Sequence, residues 1–169
     1  MDVRPCTVGM RVRRNCELER TELARYHRYT SRVTTGSTKV LVIDDDPIVL
    51  EVVRERLEGA GFVVVVRDEP LGTTNVVRDE RPDIVLLDIM MPALNGERLA
   101  ALLRANRSLN TLSIVLHSSK APSELLPLVE QTGAIGAISK SESEGEFMRR
   151  FHELVRGHLE RTSSAPRKV

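Results

Sequence analysis

Tryptophan is absent from this 169-residue chain, and aromatic residues make up only 3% of it. With apolar residues at 41% a core is available, but it must be aliphatic. Cysteine occurs only as Cys6 and Cys16, at a spacing that matches no zinc or redox motif. Two ordinary thiols of a reducing cytosol are the expectation. No apolar run approaches the ~18 residues of a membrane span. The start carries arginines but no apolar h-region, which excludes a secretory signal. A cytoplasmic protein with no membrane partner is expected. Neither sign of charge dominates, since the formal net is +1.

The charge is nonetheless uneven. Residues 1–38 hold eight Arg and four acids, whereas residues 39–161 hold fifteen basic and twenty acidic side chains. The spacing of Leu18, Leu23 and Tyr26 predicts a short polar helix over 17–29, and the Thr/Ser-rich stretch 30–38 a linker. No aromatic residues interleave these arginines as a nucleic-acid platform would want, so residues 1–38 are expected to be a solvated, flexible extension without a nucleic-acid role.

The regular part begins at Lys39. Val40-Leu41-Val42-Ile43 and Ile84-Val85-Leu86-Leu87 are unbroken apolar runs, the pattern of strands buried on both faces. Further strands are expected over 62–66, 112–116 and 134–138. Asp46 before Pro47 reads as the cap and first turn of a helix, with Ile48, Val49, Val52, Val53 and Leu57 at helical spacing and Gly59 and Gly61 as its stop. Helices are expected over 71–79, 96–106 and 121–132; Pro127 should kink or shorten the last of these. Ser143 and Glu146 form a capping box ahead of a helix marked by Phe147, Phe151, Leu154, Val155 and Leu159. From Thr162 a polar, loose tail is expected. Five strands alternating with five helices predict an α/β domain over 39–161, with a parallel sheet and helices on both faces.

In such a sheet all strand ends share one edge. Asp44 and Asp45 follow the first strand, Asp88 the third, Ser118 the fourth and Lys140 the fifth. At ~4 Å and an effective dielectric of ~20, each pair of carboxylates repels by about 4 kcal/mol. A divalent cation removes that repulsion. With only hard oxygens and no His or Cys facing the site, magnesium is favoured over zinc. Lys140 adds an ammonium and Ser118 a hydroxyl donor. A carboxylate nucleophile with these partners can accept a phosphoryl group as an acyl phosphate. His117 is expected to be structural, its side chain turned away from the crevice by strand alternation.

Lys39-Val40-Leu41-Val42-Ile43-Asp44-Asp45-Asp46-Pro47, the run from Asp83 through Asp88-Ile89-Met90-Met91-Pro92 to Gly96, and the placements of Ser118 and Lys140 resemble the receiver domain of bacterial two-component response regulators. The resemblance covers about residues 39–160. It implies a flavodoxin-like, doubly wound, five-stranded sheet of order 2-1-3-4-5. It further implies Asp88 as phosphoacceptor and Asp45 as a direct Mg2+ ligand, with Asp44 assisting through water. Asp88 and the backbone carbonyl of Met90 would complete the protein's share of the metal shell, and Ser118 and Lys140 would bind the phosphoryl oxygens. The donor would be a sensor histidine kinase or phosphotransfer protein.

Ala137 stands where the family usually has an aromatic residue, and Ser141 where a proline usually follows the lysine with a cis peptide. Met90 lies where a hydrolytic water is often oriented, and a thioether cannot polarise water, so a persistent phosphoryl group is expected. Met90 also replaces the second acid of aspartyl phosphohydrolases, so no conventional turnover is expected beyond self-catalysed phosphoryl transfer and autodephosphorylation. The expected function is a stand-alone phosphoryl switch that binds a protein target through its fourth helix, fifth strand and fifth helix. A phosphorelay intermediate or phosphate sink would look the same. A degenerate receiver acting by binding alone is the alternative.

Overall fold

A computed structural model describes residues 38–92, 96–105 and 112–164. The expected helix over 17–29, nearly all of the linker, both cysteines, Asn95 and residues 165–169 of the tail lie outside the described residues. The described residues form β1 (Lys39–Ile43), α1 (Pro47–Gly59), β2 (Val63–Arg67), α2 (Thr73–Glu80), β3 (Ile84–Asp88), α3 (Gly96–Ala105), β4 (Ser113–Ser118), α4 (Pro122–Thr132), β5 (Gly136–Ser139) and α5 (Glu144–Ser164). The strands pair in parallel in the order β2-β1-β3-β4-β5. This is the flavodoxin-like order expected from the resemblance. It reverses direction between β1 and β3, where open α/β sheets keep their ligand crevices.

The unbroken apolar runs are explained by burial on both faces. On one face Leu41, Ile43, Val85, Leu87, Ile114 and Leu116 meet Val77 of α2, Leu99 and Leu103 of α3, and Leu125 of α4. On the other, Val40, Val42, Ile84, Leu86, Val115 and Ile138 meet Leu50, Val53 and Leu57 of α1, and Phe147, Phe151 and Val155 of α5. Each such side chain stabilises the fold by roughly 1.5–3 kcal/mol. The three phenylalanines pack together: Phe62 lies edge-on to Phe151, and Phe147 stacks on Phe151. No helix among the described residues is long and apolar enough to cross a membrane.

Local signals act where expected. Asp46 caps α1, its carboxylate accepting from the Ile48 N–H at 2.8 Å, with Pro47 in the first turn. The Ser143–Glu146 capping box forms in both directions. Other boundaries differ. β4 runs on past Leu116 to Ser118, so His117 and Ser118 belong to the strand. α4 continues through Pro127 at the cost of one backbone donor, without being cut short. α5 passes Leu159 and Thr162 to reach Ser164; no Gly or Pro stands between Gly157 and Pro166 to stop it. On α1 the buried face is Leu50, Val53 and Leu57, while Ile48 is 73% and Val52 39% exposed. Apolar residues surround this helix, so spacing alone does not choose its inner side.

Candidate functional site

At the carboxyl ends of β1, β3 and β4 the same local device recurs. A side-chain oxygen accepts the N–H two residues on, as Asp, Asn and Ser favour in turns. Asp44 Oδ1 takes the Asp46 N–H at 3.1 Å, Asp88 Oδ1 the Met90 N–H at 2.9 Å, and Ser118 Oγ the Lys120 N–H at 3.2 Å. Each bond fixes a rotamer. For the two carboxylates it commits Oδ1 to the backbone and leaves Oδ2 facing the crevice.

Both Oδ2 atoms meet Lys140. Its Nζ lies 2.7 Å from Asp44 Oδ2 and 2.8 Å from Asp88 Oδ2. The lysine is held at the sheet edge by its own N–H, which donates to the Ser118 carbonyl at 2.8 Å. Asp44 and Asp88 are each 1% exposed, while Asp45 is exposed beside them. Burial pushes the Asp44 carboxyl up, but the neighbouring His117 imidazole, the Lys140 ammonium and the Asp46 N–H outweigh it and hold Asp44 below the ordinary carboxylate value. Burial likewise disfavours the Lys140 charge, yet Asp44 and Asp88 prevail and raise its pKa above the usual lysine value.

One carboxylate oxygen from each of Asp44, Asp45 and Asp88 lies within 4.8 Å of the others. Three acids against one lysine leave the cluster negative, and its donors are hard oxygens. The set therefore fits a divalent cation of the magnesium type. Of the residues singled out in the sequence, Asp44, Asp45, Asp88 and Lys140 come together here. Ser118 is fully buried and joins them through its carbonyl, while its hydroxyl oxygen accepts the Lys120 N–H. Met90 contributes its N–H to Asp88 and leaves its side chain 57% exposed. Ala137 is buried, with its carbonyl accepting from Arg150 Nε at 2.9 Å. No cis peptide occurs among the described residues, in keeping with Ser141 after the lysine.

His117 departs from expectation. Its Nδ1 lies 3.9 Å from Asp44 Oδ2, so the side chain turns toward the acidic cluster. The reason is register. His117 pairs with Asp88 across β3 and β4, and paired residues of parallel strands share a sheet face. In phase with Val115, the imidazole lies on the α1 and α5 side, edge-on to Phe147. The missed signal was the length of β4.

The family model of the response regulator receiver domain matches residues 40–152. The chain belongs to the response regulator receiver domain family. The receiver is 32% identical over 135 residues to the DNA-binding response regulator MtrA of Mycolicibacterium smegmatis, which covers 80% of this chain and 56% of MtrA. It spans between 54% and 63% of the length of the first curated relatives it matches. Among solved structures, the BeF3-activated N-terminal receiver domain of Klebsiella pneumoniae RstA superposes with a TM-score of 0.62 at 30% identity, covering 72% of this chain and 98% of that one. Chemotaxis protein CheY4 of Vibrio cholerae reaches 0.65 at 19% identity over 70% and 98% of the two chains, a likeness of fold.

Proposed function

We propose that this receiver domain takes a phosphoryl group onto Asp88 from a sensor histidine kinase or phosphotransfer protein, with Mg2+, in the cytoplasm. The observation that carries the reading is the lysine bridge: Lys140 Nζ within 2.8 Å of both Asp44 and Asp88, beside a third acid. Asp88 Oδ1 is committed to the Met90 N–H, so Oδ2, which faces the crevice and Lys140, is the oxygen that attacks phosphorus. The P–N bond of a phosphohistidine donor breaks, its imidazole leaves, and an acyl phosphate forms on Oδ2. Lys140 then neutralises a phosphoryl oxygen in place of the carboxylate. Ser118, whose Oγ accepts the Lys120 N–H at 3.2 Å, has its own O–H to donate to another. Asp45, Asp88 and the Met90 carbonyl, with Asp44 assisting, would hold the Mg2+, whose charge would let two anions meet.

The domain is proposed to span 39–161, and its output to be protein binding on the α4-β5-α5 face. Met90 presents a thioether, which cannot polarise a hydrolytic water, so the phosphoryl group should persist. Met90→Asn should shorten its lifetime several-fold; an unchanged decay rate counts against this role.

Acetyl phosphate with magnesium, followed by intact mass, tests the main reading. Wild type should gain one phosphoryl group and Asp88→Ala none. No gain on wild type favours the second reading, a degenerate receiver that acts by binding alone. Ala137 in place of an aromatic is the observation on its side.

A further inference from the structure

Near the crevice the buried His117 Nδ1 stands without a hydrogen bond, and it faces Asp44 Oδ2, whose close partner is the Lys140 ammonium at 2.7 Å. The two atoms lie 3.9 Å apart. Asp44 and His117 are 1% and 4% exposed, so bulk solvent does not reach them. A buried polar atom left unpaired costs about 1–3 kcal/mol, and such an atom in a folded protein calls for a reason. Closing this gap to hydrogen-bond distance needs a shift of only about 1 Å.

Lys140 explains why the gap is open. Its ammonium now matches the charge of both Asp44 Oδ2 and Asp88 Oδ2. In the proposed switch, that same ammonium turns to the phosphoryl group on Asp88. Asp44 Oδ2 then loses the ammonium that touches it at 2.7 Å. His117 is the side chain already aimed at that oxygen from within the core. Phe147, edge-on with ring centroids 5.6 Å apart, backs the imidazole from α5.

Resting on the phosphoryl-switch reading, we propose that His117 is a positioning residue that takes over the Asp44 carboxylate when Lys140 moves to the phosphoryl group. The imidazole donates its Nδ1–H to Asp44 Oδ2, which gives the unpaired nitrogen a partner and the carboxylate oxygen a replacement for the ammonium. Asp44 is thereby kept in place beside the metal in the phosphorylated state, and part of the cost of moving Lys140 is offset. No proton changes owner and no bond other than hydrogen bonds is made or broken.

The test uses the full chain with magnesium and beryllofluoride, a mimic of the acyl phosphate. Proton–nitrogen spectra of the imidazoles, assigned by comparison with His117→Asn, should show the His117 Nδ1–H move downfield and become protected on adding beryllofluoride. His117→Leu, which keeps the packing volume, should bind beryllofluoride about five- to tenfold more weakly than wild type. His117→Asn, which retains a donor near the Nδ1 position, should recover most of that loss. A His117 signal that does not respond, with Leu and Asn variants binding as wild type does, overturns this inference and leaves the switch reading intact. Wild type that binds no beryllofluoride, as judged by fluorine resonances, overturns the switch reading and this inference with it.

Discussion

Asp88 carries the tension on which the site is built. It is a buried carboxylate among two others, with Lys140 shared rather than owned. Replacing it with Asn removes two repulsions and one attraction, and Lys140 keeps Asp44 as its partner. In chelator, Asp88→Asn should therefore be more stable than wild type by about 1 kcal/mol, after discounting for the exposure of Asp45. A thermal melt with EDTA checks this; an unchanged or lower midpoint contradicts it. His152 is a second case of charge excluded by burial. Packed against Phe62 and Phe151, it has its pKa lowered by desolvation from 6.5 to about 4. The unfolded chain thus takes up this proton near pH 6.5 while the folded chain does not until about pH 4. Stability from this group is full above pH 6.5 and falls as the pH drops, by about 3 kcal/mol in total. Between pH 7 and pH 5, urea melts of wild type should lose about 2 kcal/mol more than those of His152→Leu.

The helices and strands show where local sequence rules suffice and where packing overrides them. α2 ends on Arg81, which holds a left-handed conformation at φ 49°, the one non-glycine with positive φ among the described residues. Its N–H closes the helix onto the Val77 carbonyl at 3.0 Å. Glycine adopts this conformation without the side-chain penalty, though it loses more chain entropy on folding. Arg81→Gly should stabilise the fold by about 0.5 kcal/mol, read from urea midpoints at unchanged slope. Legibility followed the same division. The strands β1 and β3 were readable because burial on both faces leaves an unbroken apolar run. The caps at Asp46 and Ser143 were readable because they are chemistry of neighbouring residues. The inner face of α1 was not, since Ile48 and Val52 compete with Leu50 and Val53 and only the sheet decides. The direction of His117 was not, because strand alternation says nothing until the phase and end of β4 are known.

Taken together, the doubly wound sheet converts residues far apart in sequence into one rim. Asp44, Asp88 and Lys140 meet there because β1, β3 and β5 all end on the same edge. The acids and the lysine were legible as a set from their places after predicted strands, whereas the shared lysine contact and the approach of His117 to Asp44 depend on strand register and side-chain packing. The family assignment accounts for the sheet and its order; the chemistry at Asp88 is what experiment must decide. Borohydride reduces an acyl phosphate of aspartate to homoserine and so marks the acceptor in the chain. After acetyl phosphate and magnesium, peptide sequencing by mass spectrometry should find homoserine at position 88 alone, and none when EDTA replaces magnesium. Homoserine at another aspartate, or at none with magnesium present, would contradict the account.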